Sequence, residues 1–242
     1  MDRIDLHTHS NCSDGSLSPK ELVQLAKKRD LRAIALTDHD TVAGVAEAMR
    51  AGKEQGVEVV PGVEISAQYS PGTMHILGYY FDTSHPELLK ALEELQQARA
   101  ERNPKIIERL QSLGLEITTA EVVNISGGQV GRPHIARALV ERGYVSSIGE
   151  AFSRYLKKGG VAYVEKFRFP PQEAIVMIRR AGGLATLAHP FTLEIEDSRE
   201  LTSLTSELQE MGLEGIEVFY PDHTEEMTVI YYNIARGLGL VS

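Results

Sequence analysis

Cysteine is almost absent from this chain: Cys12 is the only one among 242 residues, which excludes an internal disulfide. Positive charge is also scarce, with 25 Lys and Arg against 34 Asp and Glu and a formal net charge of -9. Because binding along duplex nucleic acid needs many Lys and Arg contacts to phosphates, we expect no stable duplex binding. No apolar run approaches the ~20 residues that span a bilayer, and no signal segment opens the sequence. We therefore expect a cytoplasmic protein that does not bind membranes.

Two kinds of catalytic motif are missing as well. Neither a Gly-x-Ser-x-Gly motif nor a Walker motif occurs, which argues against acyl transfer and against nucleotide-driven phosphotransfer. The hydrophobic content of 42% and the charged content of 24% are ordinary for a globular protein. Any chemistry must therefore come from other side chains.

Short apolar runs alternate with amphipathic stretches in the first 80 residues. After a first strand, the pattern predicts helices at 19–29 and 41–55 and strands at 32–36, 57–65 and 74–80. The alternation from the first strand to the strand at 57–65 is a βαβαβ pattern, which predicts parallel strands with right-handed crossovers and hence an α/β fold.

The alternation stops after Tyr80, where residues 85–113 predict one long amphipathic helix. Further helices are predicted at 119–123, 133–142 and 147–157, and then a strand at 161–164. Alternation returns with helices at 171–180, 198–211 and 225–237 and with strands at 184–188 and 215–220. We therefore divide the chain into a first barrel part, residues 1–98, a helical substrate-binding insertion, residues 99–166, and a second barrel part, residues 167–242.

Side chains that bind metals lie at the ends of several apolar runs: His7, His9, Asp14, His39, Glu64, His75 and His189. His7 and His9 are two residues apart in a strand, so both imidazoles leave the same face. Imidazole suits zinc, iron and manganese, while carboxylates also suit magnesium and let two or more cations lie close together. A single strand histidine is commonly structural, but recurrence at strand ends, where α/β folds place their chemistry, favours a metal site.

A second cluster lies in the insertion, where residues 127–134 combine a Gly-Gly loop with a helix start. Backbone N–H groups at a helix N-terminus, with Arg132 and His134 beside them, are typical of an anion site. A surface loop with solvated charges stays open as the alternative for both side chains. It is the favoured interpretation for the nearby lysines, Lys157, Lys158 and Lys166.

An ordered set of motifs covers essentially the whole chain: Asp5-Leu6-His7-Thr8-His9, Ser13-Asp14-Gly15, Thr37-Asp38-His39-Asp40, Pro61-Gly62-Val63-Glu64, His75-Ile76-Leu77-Gly78 and Ala188-His189-Pro190. Together they resemble the polymerase and histidinol phosphatase (PHP) family. The resemblance implies a distorted (β/α)7 barrel with two or three divalent metal ions that cleaves phosphoesters. The insertion resembles the subgroup that removes the 3′-phosphate of nucleoside 3′,5′-bisphosphates and trims the 5′ ends of short RNA, so a nucleotide or an RNA end is the expected substrate.

The resemblance also implies roles for the matching residues. The more buried metals would be held by His7, His9, Glu64 and His189, with Glu64 as a bridge. Neighbouring sites would be completed by Asp14, His39 and His75. The substrate's other phosphate would be held by Arg102, Asn103, Arg132 and His134. Because the family pattern continues into a Gly-Ser-Asp-Phe-His segment, the chain is expected to be truncated before its last strand and to lack two further ligands.

Clustered divalent metals supply a nucleophile from water, neutralise phosphoryl oxygens and hold the attack in line. We take His39, His189 and Asp38 as the catalytic candidates: a histidine would protonate the leaving oxygen, and Asp38 would orient a ligating imidazole. For Asp38, turn formation is the alternative. Two other functions stay open, a small-molecule phosphatase of the histidinol-phosphate kind and a catalytically defective PHP binding module.

Overall fold

Strands and helices alternate along the computed structural model, which describes residues 3–242. In chain order the elements are β1 (Arg3–Thr8), α1 (Pro19–Lys28), β2 (Leu31–Leu36), α2 (Val45–Gln55), β3 (Glu58–Ala67), β4 (Met74–Tyr79), α3 (Pro86–Ser112), α4 (Thr119–Ser126), α5 (Arg132–Glu141), α6 (Ile148–Ala151), α7 (Pro171–Arg180), β5 (Leu184–Leu187), α8 (Ser198–Glu210), β6 (Gly215–Ile216) and α9 (Glu225–Leu238). The expected α/β class is confirmed.

By compactness the chain divides into two units. The first comprises Met1–Val59 and Glu93–Phe167, and the second comprises Val60–Leu92 and Arg168–Ser242. The strand β3 and the helix α3 each begin in one unit and end in the other. This division differs from the three-part division at 98 and 166, which stays a prediction.

The first unit begins with two parallel strands, β1 and β2, in which Asp5 lies opposite Ile34. The helix between them begins as its sequence predicts: the Ser18 hydroxyl accepts from the Glu21 backbone, the Glu21 carboxylate accepts from the Ser18 backbone, and Pro19 occupies the first turn. The apolar faces of α1 and α2 pack on β2 in one buried cluster: Val23, Ala26, Ile34, Leu36, Val45, Ala48, Ala51 and Val57.

The helices α3 to α6 carry a second core in the same unit. Its fully buried members include Ile106, Leu110, Ile117, Val122, Ile135, Ala136, Leu139, Ala151, Leu156 and Ala162. Helix α4 begins with a capping box made by Thr118 and Glu121, and it ends at Gly127, whose positive φ of 64° suits glycine. The loop that follows leads directly into α5.

The second unit contains the antiparallel strands. The pairs β3–β4 and β4–β5 are antiparallel, and the pair β5–β6 is parallel. Residues 68–73 join β3 to β4 without a helix, so β4 runs back along its neighbour rather than parallel to it. Helix α7 packs so closely on β4 that a Cβ atom at Gly78 would lie about 3.1 Å from Ile178.

Two predicted strands differ from the structure. Residues 161–164 form no strand, because the turn at Gly159 and Gly160 directs the Ala162 N–H to the carbonyl of Tyr155. The strand predicted at 215–220 is limited to Gly215–Ile216. Past that point the Glu217 carboxylate accepts from the His189 backbone N–H at 2.6 Å. The Glu217 N–H still donates to the Leu187 carbonyl at 2.8 Å, and the pairing with β5 ends there.

The structure also bears on the expectation about membranes. Among residues 3–242, no helix combines the length and the apolar character that crossing a bilayer requires.

Candidate metal and phosphate sites

Three histidine rings lie together in the first unit. His7 is in β1 and His9 follows it, and their ring centroids are 5.1 Å apart. The Thr37 N–H donates to the carbonyl of Thr8 at 2.9 Å, which extends the pairing of β1 with β2 beyond the strand ends. His39 is thereby held beside His9, with ring centroids 4.8 Å apart.

Asp14 joins this group through the turn that follows His9. Its carboxylate oxygens lie 3.5 Å from His9 Nδ1 and 3.5 Å from His39 Nε2. The turn is tight: the Gly15 N–H donates to the Ser10 carbonyl at 2.9 Å, and a Cβ at Gly15 would lie 2.1 Å from the His9 carbonyl oxygen. Only glycine fits there, so Gly15 is required for the turn that places Asp14 beside the histidines.

Asp38 stabilises the same turn through hydrogen bonds from Ser10 and Ser13. Its buried carboxylate accepts hydrogen bonds from the Ser10 N–H at 2.7 Å, the Ser10 hydroxyl at 2.6 Å and the Ser13 hydroxyl at 2.7 Å. Burial raises the pKa of Asp38, while the hydrogen bonds from both serines act in the opposite direction. This geometry makes Asp38 a positioning residue for the loop, and its direct catalytic role stays a prediction.

Glu64, His75 and His189 converge in the second unit. Glu64 lies in β3, His75 lies in the antiparallel strand β4, and His189 follows β5, the next strand of that sheet. Glu64 Oε1 is 2.7 Å from His75 Nδ1 and 2.8 Å from His189 Nε2. The two ring nitrogens are 3.3 Å apart.

This donor set fits a divalent metal ion. Two ligands of one ion at ~2.1 Å are separated by roughly 3 to 3.4 Å, which is the spacing of the two imidazole nitrogens. Glu64 Oε1 lies at hydrogen-bond distance from both nitrogens and would move outward by a few tenths of an ångström to bind the same ion. The other nitrogen of His189, Nδ1, lies 3.1 Å from the Thr192 hydroxyl, which fixes the ring so that Nε2 points to Glu64. His189 also has a positive φ of 22°, a strained conformation that clusters at functional sites.

The predicted phosphate-binding residues all belong to the first unit. Arg102 and Asn103 are buried in α3, and the Arg102 Nη2 donates to Asn103 Oδ1 at 2.7 Å. Asn103 in turn donates to the Val130 carbonyl at 2.8 Å, which ties α3 to the loop before α5. The structure therefore brings Arg102 and Asn103 to the 127–134 segment.

Arg132 and His134 lie in the first turn of α5. Arg132 donates to the Leu156 carbonyl at 3.1 Å, and its guanidinium lies over the rings of Phe152 and Tyr163. His134 Nδ1 accepts from the Gly131 backbone N–H at 2.9 Å, so this ring closes the helix N-terminus. Burial lowers the pKa of His134 and favours the neutral ring.

The sequence did not predict the buried network of charged side chains formed by Asp40, Arg99 and Lys166. Asp40 accepts from Arg99 Nε at 2.7 Å and from Arg99 Nη2 at 2.6 Å, and Lys166 Nζ lies 3.4 Å from the same carboxylate oxygen. The favoured view of Lys166 as a solvated surface charge is wrong, since its side chain is only 2% exposed. The one sequence signal for Arg99 is its spacing of three residues before Arg102 on the same helix.

The chain is also similar to known proteins. A 5′-3′ exoribonuclease from Haemophilus influenzae is 38% identical over 216 residues, which are 89% of this chain and 78% of that protein. A 3′,5′-nucleoside bisphosphate phosphatase from Chromobacterium violaceum is 33% identical over 233 residues, 93% of this chain and 79% of that protein. The structure of a proposed metal-dependent phosphoesterase from Bifidobacterium adolescentis matches 99% of this chain and 85% of its own, with a TM-score of 0.90 and 29% identity.

The fold and these relatives together define a metal-dependent phosphoesterase, which is a hydrolase. A family model described as the PHP domain matches residues 5–166, and the chain belongs to that family. The predicted family, fold and enzyme class are thereby confirmed.

Proposed function

We propose that this phosphoesterase removes the 3′-phosphate of nucleoside 3′,5′-bisphosphates and also cleaves nucleotides from the 5′ end of short RNA. The observation that carries the proposal is the convergence of Glu64, His75 and His189 on one point, because phosphoester hydrolysis by this family depends on metals. The names of the exoribonuclease and bisphosphate phosphatase relatives support the nucleotide substrate.

The metal ligands in this proposal are the two groups of donors. Each group combines imidazole with carboxylate, a set that accommodates manganese, iron, zinc or magnesium. The first group is His7, His9, Asp14 and His39, and the second is Glu64, His75 and His189. Two or three divalent ions bound by them would activate water and neutralise the phosphoryl oxygens.

The remaining roles belong to the polypeptide itself. Arg102 and Asn103 with Arg132 and His134 hold the phosphate that does not react, through charge-assisted hydrogen bonds. His39 or His189, where the ring is not fully committed to a metal ion, would donate the proton that the leaving oxygen requires. Asp38 keeps the loop from Ser10 to Asp14 in position for them.

Release of inorganic phosphate from the two small phosphate esters, and release of a 5′-mononucleotide from RNA, test the proposal. The metal-loaded protein is assayed with adenosine 3′,5′-bisphosphate, a short 5′-phosphorylated RNA and histidinol phosphate. Hydrolysis of the first two at rates well above the third is the expected result. Faster hydrolysis of histidinol phosphate would instead favour the small-molecule phosphatase, and inertness toward every substrate would reject the proposal.

Adenosine 3′-monophosphate, which lacks the 5′-phosphate, gives a sharper test of the proposed phosphate anchor, that is, of Arg102, Asn103, Arg132 and His134. The wild-type enzyme should prefer the bisphosphate in kcat/KM by about 100-fold, the effect of two or more charge-assisted contacts. Arg102→Gln should lose most of that preference while leaving the monophosphate rate nearly unchanged. Equal losses on both substrates would show that Arg102 is only structural.

A further inference from the structure

A cavity of about 790 Å³ lies within the first unit, between α3, α4 and the loop that precedes α5. Its volume is within the range of about 300–1,000 Å³ that small-molecule sites have. The walls are mainly apolar and include Ala100, Pro104, Ile107, Val122 and Val123. Amide side chains interrupt this surface at Gln96, Gln97 and Gln129.

The cavity adjoins the first group of metal-ligand candidates. A second, small pocket of about 10 Å³ is lined by Asp14 and His39, and it shares Arg99, Gln129 and Val130 with the cavity. Asn103, one of the proposed phosphate anchors, also lines the cavity. A ligand in the cavity would therefore contact Asn103 and adjoin the pocket that Asp14 and His39 line.

Gln129, which lines both pockets, has a side-chain oxygen without a hydrogen-bond donor among the residues that the structure describes. Its Oε1 is buried and accepts no hydrogen bond from any residue that the structure describes. A buried amide oxygen without a donor is costly, and such atoms call for an explanation. A ligand that brings an O–H or N–H group to the junction would satisfy it.

A nucleoside has the chemistry that this combination requires. The faces of a base are apolar and its edge carries donors and acceptors, so they match apolar walls with amide groups between them. None of the cavity-lining residues in the described part of the chain is aromatic, and burial rather than stacking would bind the base. In a nucleotide the ribose lies between the base and the phosphates, and Gln129 lines both pockets.

We propose that this cavity is the nucleoside subsite: it takes the base of the substrate's terminal nucleotide, and Gln129 Oε1 accepts a hydrogen bond from the ribose 2′-hydroxyl. The proposal rests on the proposed nucleotide substrate. It adds that the enzyme accepts any base, since amides offer both donors and acceptors, and that it distinguishes ribose from deoxyribose.

Filling the cavity tests the base position. Ala100 is exposed on α3 and lines the cavity, whereas Ala120 is exposed on α4 and does not. Ala100→Trp should lower kcat/KM for adenosine 3′,5′-bisphosphate by about tenfold or more, because the buried base loses its room. The abasic ribose 3,5-bisphosphate should be hydrolysed as by the wild type, and the matched control Ala120→Trp should change neither rate.

Equal rates for Ala100→Trp and the wild type on both substrates would overturn the base position, as would equal losses on both. Ala100→Leu repeats the test with a smaller side chain if the tryptophan variant does not fold.

The ribose contact has its own readout. The wild type should hydrolyse adenosine 3′,5′-bisphosphate about tenfold better than its 2′-deoxy analogue, the effect of one hydrogen bond to a buried acceptor. Gln129→Met, which keeps the length but not the acceptor, should bring the ribose substrate down to the deoxy rate. A wild type that treats both sugars alike would overturn this contact.

Binding separates this proposal from the proposed function. Equilibrium dialysis in the absence of metal measures the affinity for adenosine 5′-monophosphate and for ribose 5-phosphate. This measurement does not depend on turnover. Weaker binding of the adenosine compound alone to Ala100→Trp supports the subsite even if no phosphate is released from any substrate. Unchanged binding of both compounds rejects the subsite while the proposed function stands.

Discussion

Asp40 is a buried carboxylate that faces two cations, so its loss should destabilise the protein strongly. Asp40→Asn removes the negative charge that the buried side chains of Arg99 and Lys166 share, which should cost about 3–5 kcal/mol in the free energy of unfolding. Asn tolerates the positive φ of 54° at this position, so the substitution adds little backbone strain. Urea unfolding followed by circular dichroism measures the change.

An exposed ion pair provides the control for Asp40. Arg137 and Glu141 lie one turn apart on α5, with side chains more than half exposed. Glu141→Gln should lower the free energy of unfolding by only about 0.3–0.5 kcal/mol. Equal effects of the two substitutions would contradict the importance given to burial.

Glu64 is the residue on which the second donor group depends. Glu64→Gln keeps the size of the side chain but removes the charge that two histidines approach. Removing a ligand should weaken Mn²⁺ binding by at least the ~10–100-fold that changes next to a metal site cause. Isothermal titration calorimetry with Mn²⁺ measures this effect, and Glu58→Gln in the same strand is the control. Unaltered affinity in the Glu64 variant would count against the metal group.

At the scale of elements, the N-terminus of α5 should respond to pH through His134. Burial first, and then Arg137 and Arg99, lower its pKa, while Asp14 raises it. As the pH falls, the His134 ring of the unfolded chain is therefore protonated near pH 6.5, whereas the ring of the folded protein is protonated only at a lower pH. The stability that neutral His134 provides is present above pH 6.5 and is lost as the pH falls toward the folded pKa.

His134→Gln isolates this effect, because a glutamine at the same position still accepts from the Gly131 N–H. The variant should lose less stability than the wild type between pH 7.5 and 5.5, as measured by urea unfolding at several pH values. Identical pH dependence in both proteins would assign the effect to other histidines.

Local signals explain which elements the sequence predicted well. The capping box of α1 and the long amphipathic pattern of α3 act within a few residues, so their positions follow from the sequence itself. The strand predicted at 161–164 was wrong because the turn at Gly159 and Gly160 directs the Ala162 N–H to the carbonyl of Tyr155 instead of to a neighbouring strand. The glycine pair was a local signal for this turn, and the pattern of alternating apolar residues does not show it.

The candidate site shows the same limit at the scale of the whole molecule. The ligand candidates could be found because each one belongs to a short motif at the end of a run. The network of Asp40, Arg99 and Lys166 joins residues 59 and 126 positions apart, so no local pattern shows that these side chains meet. The cavity at Gln129 likewise exists only because α3 packs beside α4 and the loop that precedes α5.

The number of bound metal ions decides whether this phosphoesterase uses the two donor groups. The protein is stripped with a chelator and equilibrated with Mn²⁺, and the metal per chain is measured by elemental analysis. Our account predicts two or three ions per chain in the wild type and fewer in His189→Ala, together with phosphate release from adenosine 3′,5′-bisphosphate only in the loaded protein. Full activity in a chain that binds no metal would contradict the account.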